Sequence, residues 1–226
     1  VGFGFLAYIG LAGALQLPVL SMLERATEPV IFMVANIIVL FVMMVVNMQA
    51  IFGGIASLFK LKAYADSFTA LTTLAVFIQL LVMLFSPDRV AKNQLEVFPA
   101  IAAGAMLLNA CGKLLMVNRM LRNFKFVSSD KTKYSAQKIE DEAFAWELCR
   151  GLNIDDAQVL VSRPAKFLTN FLEYSYSEDP VDAIARLLAP IGVCGALLVA
   201  VFSYFIYGNA FASVTAFATV ICAFCP

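Results

Sequence analysis

The sharpest chemistry in this 226-residue sequence lies in Cys222-Ala-Phe-Cys225-Pro226. Proline has no backbone N–H and leaves the carbonyl four residues earlier without its helical donor. Here that carbonyl belongs to Cys222. Cys222 and Cys225 are three positions apart and share one helix face. In a low-dielectric setting the arrangement gathers two thiols and a carbonyl at one point. Thiolates are soft ligands that select Cu(I) or Zn. Non-helical backbone at membrane depth is tolerated where it lines a cavity. The plainer reading is two small apolar residues beside a kink.

A second feature is Gly53-Gly54, followed by the apolar, lysine-bearing Ile55–Lys62. Paired glycines permit a bend that other residues resist. An interfacial segment over 53–62 follows from that hinge, its lysines near lipid phosphates. It reads as a docking surface for a partner or as a simple loop with a basic flank. Met33, Met43, Met44, Met83, Met106 and Met116 could be soft ligands, but packing is their expected role. Gln16, Asn36, Asn47, Gln79 and Asn109 most often join membrane helices by hydrogen bonds.

The elements that must hold these residues are apolar. The chain is 62% hydrophobic and 14% charged, with a mean hydropathy of +0.84. A soluble domain is about 45–50% apolar and about 25% charged. The composition therefore predicts an integral, multi-pass membrane protein. Lys plus Arg and Asp plus Glu are both 16, which leaves no electrostatic footprint for nucleic acid. With no His at all, His-based zinc sites, Ser-His-Asp triads and His relays are excluded. The five cysteines are odd in number, and four lie in apolar runs, so no disulfide framework is expected.

Crossing about 30 Å of hydrocarbon takes about 20 residues, and each span must be helical. Six runs meet or approach that length: 2–23, 30–49, 67–85, 98–117, 187–207 and the truncated 210–226. The expected fold is an all-α polytopic membrane protein of six transmembrane helices in three hairpins. Four spans fall in 1–117 and two in 187–226, and a small α(+β) insertion occupies 118–186. Lys60, Lys62 and the eleven basic residues from Lys113 to Arg186 lie on one side, against Arg25, Arg89 and Lys92 on the other. The positive-inside rule places the insertion in the cytoplasm, at the plasma membrane. The chain begins at Val1 and stops at Pro226 inside an apolar run, which reads as an internal fragment of a longer protein.

Within the insertion, Tyr134–Arg150 is predicted to be an amphipathic helix, with Ile139, Ala143 and Trp146 at helical spacing. Asn153–Asp156 signals a turn. Ala157–Val161 suits a short strand that Pro164 ends, and Lys166–Tyr174 suits a helix. Glu140, Asp141 and Glu142 read as a solvated face.

The order of these features resembles the membrane domain of heavy-metal-transporting P-type ATPases. That family opens with two extra helices, the second bent at a double glycine, where this chain has Gly53-Gly54. Its next helix opens on a stretch like A-L-x-x-K-x-N-x-D-T-L, against Ala56 to Leu71 here, with Lys60 and Asp66 in the run. A pattern like A-A-M-L-L followed by G-R resembles Ala103 to Lys113, and A-D-R-I-A-x-x-x-V-P resembles Val181 to Pro190. The family's Cys-Pro transport motif corresponds to Cys225-Pro226.

The resemblance implies a membrane fragment of an ATP-driven cation pump. Its transported ion, such as Cu(I) or Zn, would be bound at Cys225, with Cys222 a possible second ligand and Pro226 breaking the helix. ATP, Mg and the phosphorylated Asp are implied only for domains beyond this sequence. A metal-donor protein would dock on 53–62. The insertion departs from the family's actuator domain, being about half as long and lacking Thr-Gly-Glu. Asp130-Lys-Thr132 looks like the start of D-K-T-G-T, but Lys133 and Tyr134 replace the required Gly and Thr, so it reads as a solvated turn. The missing Thr-Gly-Glu keeps open a non-enzymatic membrane metal sensor or regulatory relative. An unrelated secondary transporter is the third class.

Overall fold

The structure is a computed structural model that describes residues 1–15, 18, 23–60, 62–92, 96–153, 156, 158–165, 171, 175 and 180–224. Its elements in chain order are α1 (Gly2–Leu15), α2 (Pro29–Val46), α3 (Met48–Phe59), α4 (Ala65–Met83), α5 (Pro87–Ala91) and α6 (Pro99–Val127), then β1 (Lys133–Lys138), α7 (Glu142–Leu148), β2 (Leu160–Ala165), α8 (Pro180–Tyr207) and α9 (Ala210–Ala223). The chain divides into two compact units, Val1–Leu114 with Glu178–Pro226, and Leu115–Ser177.

In the first unit, proline opens α2, α5, α6 and α8, where its fixed φ suits the helix and its missing N–H costs nothing. Four helices are long and apolar enough to cross a membrane: α2, α4, α6 and α8. They mark a membrane protein. The apolar helices Met48–Phe59 and Ala210–Ala223 are shorter, and so is the apolar part of α1. At about 1.5 Å per residue, the 14 residues of α9 reach only about 21 Å. The expected span 98–117 is only part of α6, which runs on to Val127 because no Pro or Gly interrupts it after Gly112.

The central helix is α4. Two thirds of its apolar window is buried (67%), against 22% for each of the other three. It packs on α2, α3, α8 and α9. Phe32, Met33, Asn36 and Leu40 form the buried stripe of α2. Leu40 joins Val76 and Leu80 of α4 and Ala102 and Met106 of α6 in the largest cluster. Ile9, Phe32, Met33, Met83 and Val90 form a second. Ala75, Ala196 and Ile221 tie α4 to the α8–α9 hairpin. The outer faces stay apolar: Ile38, Phe41, Val45, Phe202, Phe205 and Ile206 are all more than half exposed. Such a belt is stable against hydrocarbon and costly against water.

The α8–α9 turn is built by Gly208, whose φ of 58° lies in the left-handed region. The Asn209 Oδ1 accepts from the Phe211 N–H at 3.1 Å and caps α9. Gly208→Ala should lower stability by about 1–2 kcal/mol through the left-handed φ, since the added methyl meets nothing within 4 Å among the described residues. Gly195, inside α8, also faces open space but has no positive φ. Gly195→Ala should therefore raise stability by about 0.5–1 kcal/mol. Unfolding midpoints in one detergent check both signs. A fall for Gly195→Ala would contradict the open surface described here.

In the second unit, β1 and β2 form a two-stranded antiparallel ribbon from Lys133↔Ala165 to Lys138↔Leu160. The expected helix over Tyr134–Arg150 is corrected: its first part is strand, and only Glu142–Leu148 is helical. The Asp141 carboxylate sets that boundary by accepting from the Ala143 and Phe144 N–H groups at 3.1 and 3.3 Å. Pro164 does not end β2. It sits in register opposite Tyr134, since both strands of a two-stranded ribbon are edges that tolerate proline. The helix expected over 166–174 lies, apart from Phe171, outside the described residues, as do Ile154 and Asp155 of the expected turn. Asp130 to Thr132 and Glu140 to Glu142 are exposed.

Candidate functional site

Cys225 and Pro226 lie outside the described residues. Cys222 is described on the last turn of α9, half-buried. It packs against the largest core cluster, which contains Met106 and against which Met43 and Met44 also pack. Among the described residues no three Cys, Asp or Glu side chains come together as a metal-ligand set. Cys111 and Cys194 are exposed, and Cys149 is buried in the other unit.

Gly53 and Gly54 both lie inside α3, and the helical run is interrupted at Asn47, where φ is −98° and ψ is 21°. The Asn47 Nδ2 donates to the Met43 carbonyl at 2.9 Å. The glycines serve packing. A methyl added at Gly54 would meet the Asp66 carbonyl oxygen, with the carbonyl carbon at 2.8 Å and the Ala70 Cβ at 2.9 Å. Among the described residues, one added at Gly53 would meet the Tyr64 hydroxyl, at 2.9 Å. Gly54 therefore allows α3 to lie directly on the start of α4.

A polar chain fastens that contact. The Tyr64 N–H donates to the Ser67 Oγ at 3.1 Å. Ser57 Oγ donates to the Gly54 carbonyl at 2.7 Å. The 2.6 Å contact between the two serine hydroxyls then leaves Ser67 as the donor to Ser57. Both serines are buried. Burial, then the negative charge of Asp66, push the Tyr64 phenol above its ordinary range. Tyr64 thus presents a neutral hydroxyl at physiological pH.

Asp66, in the first turn of α4, is 7% exposed. Its Oδ1 accepts from the Asn109 Nδ2 and its Oδ2 from the Lys113 Nζ, both at 2.7 Å. The carboxylate also lies at the positive end of the α4 dipole. Each carboxylate oxygen thus has a partner on α6, and the pair of bonds ties α6 to α4. Of the amides expected to join helices, Asn109 does so, and Gln79 reaches from α4 to the Glu96 carbonyl at 2.7 Å. Asn36 donates within its own helix, to the Phe32 carbonyl at 2.7 Å, and Gln16 lies outside the described residues.

Beside this lock is a cleft of about 450 Å³ lined by Gly53, Ser57, Lys60, Lys62, Tyr64, Asp182 and Arg186, with Ala56 and Ala63. Under it, Ala63, Phe68, Ala185 and Ala189 form a small cluster joining α4 and α8. Among the described residues its charged lining is Lys60, Lys62, Asp182 and Arg186. The hydropathy runs pass over this site because its residues lie at helix ends, where spans are hard to delimit. Its one legible signal is Lys60 and Lys62 beside the double glycine. No known protein family, curated protein or solved structure matches the chain.

Proposed function

We propose that this chain is the membrane part of a heavy-metal cation transporter and that the soft cation is its substrate, bound by the Cys222 and Cys225 thiolates. The observation that carries this reading is the seat of Cys222. It lies on α9, against a cluster to which Met106 belongs and on which Met43 and Met44 pack. Thiolate and thioether groups together favour Cu(I). In the full arrangement α1 and α9 complete six spans in three hairpins, and 118–186 is the cytoplasmic insertion at the plasma membrane. The driving ATP hydrolysis, with its Mg, is assigned to parts of the protein outside these 226 residues. A metal-sensing relative without a pumping cycle is the second reading, favoured by the absence of Thr-Gly-Glu from the sequence.

Competition of the purified chain with a chromophoric Cu(I) chelator tests the site. The intact chain should take Cu(I) from the chelator, and Cys222→Ala with Cys225→Ala should weaken that binding by a hundredfold or more. Equal Cu(I) affinity in the double variant would remove the site.

A further inference from the structure

Two amides in the first unit carry oxygens that no described group reaches. Asn36 on α2 and Gln79 on α4 are both fully buried. Among the described residues, neither the Asn36 Oδ1 nor the Gln79 Oε1 has a hydrogen-bond partner. Their neighbours fix which way each amide is turned. The Asn36 amide meets the Phe32 carbonyl and the Gln79 amide meets the Glu96 carbonyl, each at 2.7 Å. A carbonyl oxygen only accepts, so the –NH2 of each side chain must face it. The remaining atom is then an amide oxygen in both cases, and it too only accepts. Two acceptors cannot satisfy one another. A buried acceptor without a donor is costly, and lipid supplies none at membrane depth.

The fold brings both amides to one level of the α2–α4 contact. Phe32 and Met33 of α2 share a cluster with Met83, at the end of α4. Leu40, farther along α2, shares another with Val76 and Leu80, nearer the middle of α4. The two helices therefore run antiparallel. Asn36 stands between Met33 and Leu40 on the buried stripe of α2, as Gln79 stands between Val76 and Met83 on that of α4. Helical spacing puts each amide between the two clusters. Val97, beside the Glu96 carbonyl, packs against both clusters, which sets the Gln79 amide at the same junction. A hard metal cation takes about six oxygen ligands, whereas these amides supply two neutral ones. What they suit is a small neutral molecule with two donors.

We propose that Asn36 and Gln79 hold a water molecule, which donates one proton to each amide oxygen and bridges α2 to α4 within the membrane. Water is the smallest molecule with two donors, and buried water in proteins sits on otherwise unsatisfied polar groups. Asn36 donates within its own helix, to Phe32, so the water is what joins it to α4. The bridge makes the pair an interhelical polar contact of the kind that holds membrane helices together.

A brief X-ray pulse on the purified whole chain, in detergent and oxygen-18 water, tests this. The pulse splits water into hydroxyl radicals, which oxidise the nearest reactive side chains, methionine foremost. Mass spectrometry of peptides then reads the label. Met33 lies one turn before Asn36 and Met83 one turn after Gln79, and both are fully buried. Both should nevertheless gain oxygen-18 from the bound water. Met106, in the other cluster and 2% exposed, should not, while Met116, 38% exposed, reports the dose. Asn36→Leu should remove most of the label from Met33 and Met83 together, and so should Gln79→Leu, with Met116 unchanged. Absence of label at Met33 and Met83 in the intact chain would overturn the proposal, and that result needs no variant to fold. Label at Met106 equal to theirs would mean general entry of water and would overturn it too. Loss confined to Met33 in Asn36→Leu, with Met83 still labelled, would mean separate waters and no bridge.

Discussion

Gly54→Ala is expected to lower stability by about 1–2 kcal/mol, the largest effect of any single methyl added at a described glycine in α3. The added carbon would press on the Asp66 backbone carbonyl, with its carbon at 2.8 Å, and on the Ala70 Cβ at 2.9 Å. Neither can move without moving α4, so α3 must shift instead, and overpacking of this kind costs about 1–3 kcal/mol. Higher helix propensity at the new alanine returns at most about 1 kcal/mol. The shift would also strain the Ser57–Ser67 contact of 2.6 Å. Gly53→Ala is the control. Among the described residues its methyl meets the Tyr64 hydroxyl, the far end of a flexible side chain that can swing away. That variant should stay within about 0.5 kcal/mol of the original chain. Thermal unfolding of both in the same detergent decides it, and equal midpoints would mean that α3 does not lie on α4 as described.

These two glycines show what the sequence discloses and what it withholds. Their pairing marks a special backbone position, and the expectation drawn from it is a hinge. The actual requirement is a close approach to Asp66 and Ala70, which come more than ten residues later and meet Gly54 only once α3 folds back on α4. Hydropathy locates α2, α4, α6 and α8 because long apolar runs leave few alternatives in lipid. It misplaces the boundaries where charged residues continue a helix, as from Asn118 to Val127 in α6. In the insertion, helical spacing at Ile139, Ala143 and Trp146 competes with the cap at Asp141, and the cap wins. The pairing of β1 with β2 is invisible locally because its partners are over twenty residues apart. Lys113 reads as one more basic residue of a flank, yet its partner lies 47 positions earlier.

That partnership gives the second large effect. Lys113→Met should destabilise the chain by about 2–3 kcal/mol, whereas Asp66→Asn should cost about 1 kcal/mol. The asymmetry follows from exposure: the Lys113 side chain is 50% exposed and that of Asp66 only 9%. Without Lys113, a buried carboxylate keeps Asn109 and the α4 N-terminus as its support but loses its counter-charge. Breaking a fully buried pair in this way costs about 3–5 kcal/mol, and water at the exposed lysine reduces that figure here. Without the Asp66 charge, Lys113 turns into solvent and the asparagine still accepts from Asn109. The double variant Asp66→Asn with Lys113→Met should therefore be more stable than Lys113→Met alone, because the stranded charge is gone. A double-mutant cycle on unfolding midpoints measures this coupling directly. If Lys113→Met is neutral, or if the double variant is the least stable of the three, the carboxylate does not lock α6 to α4. If the cycle shows the expected rescue, the lock is electrostatic and independent of any bound cation.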